Sequence, residues 1–408
     1  GYGDHPVGAL LDEDPPPARR SPAPRRGRPR KKKRRSAGRR LAGWLLAIAL
    51  VGGLAAGAWF GAKKLLGFGY EDYQGSGKGD VIVQVVDGDS TAAIAERLAE
   101  AGVVASGDAF VDAAESNDDI RSIRPGYYQV KKQMSGAAAV QAIVGKDARV
   151  GELQIRSGTQ LDDLKDPNGK KIPGIYTKLA QATCAKVDGK STCVSPRTLR
   201  STAEKTDLTK LGAPRWMVLG AAEAPKERRL EGMVLPGVYD IKPGWDAERV
   251  LTEVLTASAA QFEAAGLPDA AKATKRSAYE TVVIASIIER EAVENDFAKV
   301  SRVVYNRLAE DMRLEMDSTI NYVLDRPHIR TTSEDRAKPG PYNSYRNKTL
   351  PPSPISSPSA AALAAAVKPE RGSWLYFVKC EKNGLSCFAT DFDEHQTNVA
   401  DAKKRGVW

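Results

Sequence analysis

Residues 280–308 read ETVVIASIIEREAVENDFAKVSRVVYNRL, and this stretch predicts the centre of the fold. It contains neither Gly nor Pro, so we expect one continuous helix. At roughly 100° per residue, one narrow face of this helix collects three isoleucines and an amide: Ile284, Ile287, Ile288 and Asn295. Glu291 falls on the same face, whereas Glu289 precedes it by two residues and points roughly 200° away.

The position of Glu291 indicates acid–base chemistry. A carboxylate on an apolar stripe is costly to ionise, so its pKa should rise toward neutral pH, as a general acid requires. The alternative is a structural glutamate paired with an arginine, because ion pairs also perturb carboxylates. The arginines close enough in sequence are Arg290, Arg302 and Arg307. The pattern alone leaves both interpretations open, and Glu289 is the second candidate for the acid.

The basic charge of the chain is concentrated at its N-terminus. The 408 residues carry a net charge of +10, and residues 1–40 alone hold 13 Lys and Arg against four acidic residues. This Pro-, Arg- and Lys-rich segment cannot bury a core, so we expect a disordered tail. Nucleic-acid binding is one use for such a tail, but the next segment favours a cytoplasmic flank. With three histidines and no Cys/His cluster of zinc spacing, we expect neither a metal site nor a cofactor.

Residues 41–62 read LAGWLLAIALVGGLAAGAWFGA, an uncharged run long enough to span a bilayer as one helix of about 20 residues. The preceding basic tail places the N-terminus in the cytoplasm and the rest of the chain outside the cell membrane. A cleaved signal peptide is the alternative, because Ala56-Gly57-Ala58 resembles a cleavage site. The run is long for a signal sequence, so we expect an uncleaved single-pass anchor followed by a linker over residues 63–79.

Residues 80–148 alternate strand and helix patterns. Ser90 and Ser135 stand where helix caps are expected, and β-branched content marks the first strand. The predicted elements are a strand over 81–86, helices over 91–101 and 107–115, a strand over 127–130 and a helix over 136–144. This β-α-α-β-α order predicts a small α+β module, and a structural spacer is the simplest use for it.

The four cysteines fall into two pairs, each flanking a turn signal. Cys184 and Cys193 flank Asp188-Gly189, and Cys380 and Cys387 flank Asn383-Gly384. If each dipeptide forms a two-residue type I′ turn, each cysteine lies directly opposite its partner, within disulfide reach. We therefore expect two disulfides and an oxidising compartment, with four buried free thiols as the alternative.

Residues 149–408 carry an ordered series of motifs. They are EGMVLPGVY (231–239), IASIIEREA (284–292), VVYNRL (303–308), MRLEMDSTINY (312–322), YNSY (342–345), LPPSPI (350–355), LYFV (375–378) and FDEH (392–395). In this order they resemble the YceG-like family of endolytic murein transglycosylases, whose EG-x-L-x-P-x-T-Y element is degraded in the first motif. The likeness runs from about Val81 to Val399. The phrase VQVVDGDSTAAIAERL (83–98) is similar to the LysM-like module ahead of certain peptidoglycan enzymes.

The resemblance implies an α+β catalytic domain built around a central helix and lying outside the membrane. Such enzymes cut nascent glycan strands between MurNAc and GlcNAc, leave 1,6-anhydroMurNAc ends without using water, and so terminate strand elongation. The family's catalytic Glu matches the second Glu of IIERE, which is Glu291. The implied partners are peptidoglycan glycan strands, the membrane and peptidoglycan synthases, with no cofactor and no nucleic acid.

The chain departs from the family pattern at three places. Ser353 stands for a Gly of LPPGPI, Glu315 stands for a Gln, and Ser386-Cys387 stand for a Gly-His. The first change puts the backbone shape of that loop in doubt, and the last removes any role for the His. None of the three removes the predicted acid.

Further residues in the motifs are candidates for substrate contact: Asp317, Ser318, Tyr342, Asn343 and Tyr345. The tyrosines and the amide either bind sugar hydroxyls or pack their loop, and Asp317 or Ser318 could instead cap a helix. A lysozyme-like hydrolase would need a second carboxylate, such as Asp317 or Glu315. A non-enzymatic membrane scaffold that holds glycan and recruits synthases would need none.

Overall fold

The computed structural model describes residues 69–407, except 167 and 325–330, together with Gly53. The predicted basic tail, the membrane span apart from Gly53, and the first part of the linker lie outside these residues. Among the residues that the structure describes, no helix is both long enough and apolar enough to cross a membrane. From Tyr70 onward the described chain combines helices with small antiparallel sheets, which is the α+β class expected.

The first part of the chain folds in the predicted β-α-α-β-α order. Its elements are β1 (Ser76–Val85), α1 (Thr91–Glu100), α2 (Gly107–Ala114), β2 (Gly126–Met134), α3 (Gly136–Ile143) and a short added strand, β3 (Arg149–Val150). The three strands form one sheet in chain order. Ser90 caps α1 by accepting the Ala93 N–H, and Ser135 caps α3 in the same way. The likeness of this module to LysM stays a prediction.

The second part of the described chain holds the remaining helices and strands. They are β4 (Glu152–Ile155), β5 (Leu164–Lys165), β6 (Lys171–Ile172), α4 (Ile175–Ala182), β7 (Lys186–Val187), β8 (Lys190–Ser191), α5 (Pro196–Lys205), α6 (Arg215–Gly220), β9 (Gly237–Asp240), α7 (Ala247–Ala264), α8 (Ala278–Glu291), α9 (Phe297–Ala309), α10 (Asp317–Asn321), α11 (Ser333–Ala337), α12 (Ala360–Val367), β10 (Tyr376–Lys379), β11 (Ser386–Ala389) and α13 (Phe392–Lys404). The strands pair as β4–β9, β5–β6, β7–β8 and β10–β11.

Helix α8 is the centre of this part of the molecule. It begins with a capping box, in which the Ser277 hydroxyl accepts the Glu280 N–H and the Glu280 carboxylate accepts the Ser277 N–H. Helices α6, α9, α10 and α12 pack against it, and residues 281–288 are buried on every side of it. The helix therefore lacks the single apolar stripe that the sequence pattern indicated.

The predicted continuous helix over residues 280–308 is wrong at its middle. Helix α8 ends at Glu291, Ala292 is extended at φ −132° and ψ 171°, and α9 begins only at Phe297. Between them, the buried carboxylate of Asp296 accepts the N–H of Ser386 at 2.7 Å, which ties the break to the β10–β11 hairpin. Asn295 is exposed and does not share a face with Glu291.

The Cys184–Cys193 hairpin forms as predicted. Asp188 and Gly189 both have positive φ, at 49° and 78°, as a type I′ turn requires. The strands then pair in the expected register, with Lys186 opposite Ser191. The disulfide is present, with a Cα–Cα distance of 4.2 Å.

The Cys380–Cys387 disulfide is also present, but the register that predicted it is wrong. Val378, not Cys380, lies opposite Cys387 in the β10–β11 pair. Residues 380–385 form a longer loop, closed where the Cys380 N–H donates to the Leu385 carbonyl. The Cα atoms of the two cysteines are still 5.6 Å apart, which is within the usual range for a disulfide. The bond can therefore form although the two residues are not directly opposite each other.

Candidate active site

The candidate acid Glu291 lies where the C-terminus of α8 meets the first turn of α10. Its Oε1 accepts the backbone N–H of Ser318 at 2.9 Å. The residue is half-buried, so part of its surface is exposed to solvent while most of its surroundings are protein. This combination is what a proton donor to an external substrate requires.

Burial raises the pKa of Glu291 above its ordinary value, and the negative charge of Asp317 raises it further. The hydroxyl and N–H of Ser318 and the positive charge of Lys379 oppose this rise without cancelling it. The pKa of Glu291 therefore lies closer to neutral pH than the pKa of a solvated glutamate.

No arginine among the three candidate partners pairs with Glu291 in the described structure. Arg290 reaches toward the Gly158 carbonyl, Arg302 donates to the Glu370 carbonyl, and Arg307 donates to carbonyls and Glu315. The interpretation of Glu291 as an arginine-paired structural glutamate therefore has no support in this structure.

Glu289, the second candidate, faces another element. Its Oε2 accepts the N–H of Ser359 at 3.0 Å, at the N-terminus of α12. Glu291 contacts α10, so the two carboxylates point to different neighbours, as the angular separation predicted. Glu289 thereby joins two helices.

Asp317 does not cap α10, contrary to one of the two expectations for it. Met316 occupies the cap position, and the Asp317 carboxylate accepts from the hydroxyls of Tyr345 at 2.7 Å and Thr331 at 2.5 Å, and from Arg336 at 3.5 Å. Ser318 does not cap the helix through its side chain either, and its backbone N–H donates to the Glu291 carboxylate. Asp317 thus fixes the loop that carries Tyr345 beside the candidate acid.

Tyr342 and Asn343 lie in the interior, which favours loop packing over sugar binding for both. The Tyr342 hydroxyl is 2.6 Å from that of Ser353, and the Asn343 side chain donates to the carbonyls of Arg336 and Lys338. Tyr342 is 4% exposed and Asn343 is 5% exposed. Tyr345 alone of the three is half-buried and borders an open pocket.

Comparisons with known proteins identify the family of the chain. The sequence matches the YceG-like family over residues 83–401. The chain belongs to the YceG-like family. It is 26% identical over 357 residues to the endolytic murein transglycosylase of Streptococcus pneumoniae, covering 85% of this chain and 63% of that protein. It is 25% identical over 347 residues to the endolytic murein transglycosylase of Bacillus subtilis, covering 84% of this chain and 89% of that protein.

The chain thus spans less than two thirds of the pneumococcal relative. A crystal structure of a YceG-like protein from Listeria monocytogenes is 26% identical in sequence and covers 78% of this chain and 99% of its own, with a TM-score of 0.48.

The EG element of the YceG-like family contains a buried carboxyl that sequence reasoning did not single out. Glu231 is 0% exposed and accepts the hydroxyl of Tyr322 at 2.9 Å and the N–H of Leu161 at 3.2 Å. Burial raises the pKa of Glu231 to about 7, against the lowering effects of these hydrogen bonds and of Arg228. The signal in the sequence was the EG dipeptide alone, and its partners lie about 70 and 91 residues away.

The glycine of this element is required by space and by backbone shape. Gly232 has φ +71°, and a Cβ there would lie 2.5 Å from the Cβ of Pro354. Pro354 belongs to the LPPSPI loop, in which Ser353 stands where the family has Gly. The loop accommodates this serine because the serine hydroxyl hydrogen-bonds the Tyr342 hydroxyl and the Pro354 carbonyl. Ser353 therefore joins the YNSY segment to the LPPSPI loop through a buried hydrogen bond.

A separate groove of about 830 Å³ lies on another side of α8. Its walls come from β4, the following loop and the β5–β6 hairpin, with Arg290 at one end. Glu291, Asp317 and Tyr345 are not among its lining residues. Among the described residues, no group of three or more His, Cys, Asp and Glu side chains is placed to hold a metal ion.

Proposed function

We propose that this chain is a membrane-anchored peptidoglycan lytic transglycosylase that cuts glycan strands internally and leaves 1,6-anhydroMurNAc ends. Two curated relatives carry the name endolytic murein transglycosylase, and the family match spans most of the chain. The observation that carries the proposal is Glu291 itself, a half-buried residue whose carboxyl has a raised pKa.

One carboxyl is sufficient for this reaction. Protonated Glu291 donates to the glycosidic oxygen, the C1–O bond breaks, and the sugar ring gains oxocarbenium character. The resulting carboxylate then takes the proton of the MurNAc C6 hydroxyl, whose oxygen closes on C1. Because the nucleophile belongs to the substrate, its effective molarity is high and no base for water is needed. The proton returned to Glu291 restores the starting state.

The carboxylates that a lysozyme-like hydrolase would use are engaged elsewhere. Asp317 accepts hydrogen bonds from Tyr345, Thr331 and Arg336. Glu315 pairs with Arg307 at 3.3 Å. The three side-chain donors on Asp317 leave it less able to accept from an attacking water, which favours the intramolecular route.

Mass analysis of the products from uncross-linked glycan polymer tests the reaction class. Anhydro ends support the proposal, reducing ends would identify a hydrolase, and an absence of products would favour the scaffold. The full chain is the sample, so that any contribution of the N-terminal module is retained.

We also propose that residues 41–62 anchor the chain with its catalytic part outside the cytoplasm. The support is the uncharged run behind 13 basic residues and the two disulfides, which belong to oxidising compartments. A reporter fused to Trp408 that is active only outside the membrane should give signal. Activity of a cytoplasm-only reporter at the same position would contradict this topology.

A further inference from the structure

Next to the candidate acid is an open pocket of about 560 Å³ lined by arginines. Its walls are Arg313, Ser333, Arg336, Ala337, Tyr345 and Arg346. Three guanidinium groups around one cavity create a strongly positive local potential, and guanidinium forks match the geometry of carboxylates. The pocket is therefore suited to a carboxylate ligand.

Among the described residues, two of the three guanidinium groups form no ion pair with a carboxylate. Arg336 is held in place, with its Nε donating to the Thr331 hydroxyl, its Nη2 3.5 Å from Asp317, and its Cζ 4.8 Å from the Tyr345 ring centroid. Arg313 and Arg346 are exposed, and neither forms an ion pair with a carboxylate in the part of the chain that the structure describes. Two guanidinium groups thus remain available to an incoming anion.

The pocket shares a wall with the catalytic site. Tyr345 lines the pocket and donates its hydroxyl to Asp317 at 2.7 Å. Ser318, which follows Asp317 in the chain, donates its N–H to Glu291 at 2.9 Å. When the scissile bond of a substrate lies at Glu291, the substituents next to that bond therefore lie on the side of the arginines.

We propose that this arginine pocket binds carboxylates of the peptide stem carried by the MurNAc whose bond is cut. This inference rests on the proposed function. The stem is joined through the lactyl group at C3 of that same sugar, so a carboxylate lies near every cleavable bond. A diphosphate at a lipid-linked strand end is also anionic, but an internal cut lies far from it.

The test compares the full wild-type chain with the double variant R313Q/R346Q on two polymers. One is uncross-linked glycan with intact stems, and the other is the same glycan after an amidase has removed them. We expect the ratio of kcat/KM for stem-bearing to stem-free polymer to fall about tenfold in the variant, as for lost charge-assisted hydrogen bonds, mainly through KM. R371Q removes an exposed arginine that does not line the pocket, and should leave this ratio unchanged.

Two further substrates identify the anion. Amidation of the stem carboxylates should lower wild-type kcat/KM toward the stem-free value. Removal of the lipid diphosphate from one strand end should not change the effect of the double variant, and a loss that follows the diphosphate instead would overturn the proposal. An unchanged stem-bearing to stem-free ratio in R313Q/R346Q would overturn it as well. If the wild type cuts neither polymer, the proposed function itself fails.

Discussion

Two glutamates in this chain, Glu231 and Glu291, have raised pKa values for the same first reason, which is burial. Glu231 is fully enclosed and accepts hydrogen bonds from Tyr322 and the Leu161 N–H. Glu291 is half-buried, and the Ser318 N–H bonds one of its oxygens. The pKa shifts of the two glutamates thus have the same direction, and what differs is the exposure of each residue to solvent.

This difference shows that a perturbed pKa alone does not identify a catalytic acid. A proton donor must reach the oxygen of the leaving group, and an enclosed carboxyl cannot do so. We therefore assign Glu231 to stability, through its contact with Tyr322 directly after α10, and Glu291 to chemistry. The following variants test that division of roles.

Replacing Glu291 by Gln should have the largest effect. Gln keeps the size of the side chain and loses the transferable proton, so strand cleavage should fall by ~10⁴-fold or more, because one residue serves as both acid and base. Release of anhydro products measures the loss, and circular dichroism checks that the fold is intact. Cleavage at a wild-type rate would show that α8 is structural and would end the assignment of Glu291.

Replacing Glu231 by Gln should change the pH dependence of stability and leave cleavage largely intact. Folded Glu231 holds its proton up to about pH 7, whereas the unfolded residue releases it near pH 4.5. The folded state thus binds more protons in that window, so wild-type unfolding free energy should fall as pH rises through it, by about 3 kcal/mol. Denaturant unfolding from pH 4 to pH 8 should show this decline in the wild type and not in the variant.

Parallel pH profiles for the two proteins would contradict that account of Glu231. A loss of cleavage comparable to that of Glu291→Gln, with the fold retained, would instead make Glu231 the acid.

Tyr322→Phe should have a smaller effect of the same kind. It removes the hydroxyl that donates to Glu231, so an ionised carboxylate is left with one partner fewer. We expect a destabilisation of about 1–3 kcal/mol at pH 8, shrinking at pH 5, where Glu231 carries a proton. A cost that is independent of pH would mean that the tyrosine contributes through packing alone.

Glu289→Gln should have the smallest effect and serves as the matched control for Glu291. It stands two residues away on the same helix, and its contact is the Ser359 N–H. Loss of charge on one hydrogen bond should cost about 1 kcal/mol of stability, with cleavage changed by no more than a few-fold. If this variant were inactive while Glu291→Gln stayed active, the assignments of the two glutamates would have to be exchanged.

The sequence predicted those features of the fold that depend on residues adjacent in the chain, such as two helix caps and one tight turn. Ser90 and Ser135 cap the predicted helices, and Asp188-Gly189 fixes the register of its hairpin because both residues adopt positive φ. Asn383-Gly384 looked equivalent, yet that hairpin closes through a longer loop. The dipeptide signal does not specify loop length when neighbouring contacts, such as that of Asp296 with Ser386, hold the strand ends.

The candidate site was predicted in part, and one argument for it was wrong. Glu291 and its opposite orientation to Glu289 followed from helical geometry and from the IIERE motif, but the apolar stripe does not exist because residues 281–288 of α8 are buried on every side. The helix break after Glu291 was invisible, since no Gly or Pro marks it. Glu231 was missed because its burial depends on Leu161 and Tyr322, which only the tertiary fold brings together.

The central claim is that Glu291 drives an intramolecular ring closure in which water takes no part. Digestion of uncross-linked glycan in water enriched in the heavy oxygen isotope tests it most directly, with products analysed by mass spectrometry. The wild-type chain should yield MurNAc ends that are lighter by one water than reducing ends and that carry no heavy oxygen, and Glu291→Gln should yield neither product. Reducing ends that carry the heavy isotope would contradict the claim, because they would show that water attacks C1.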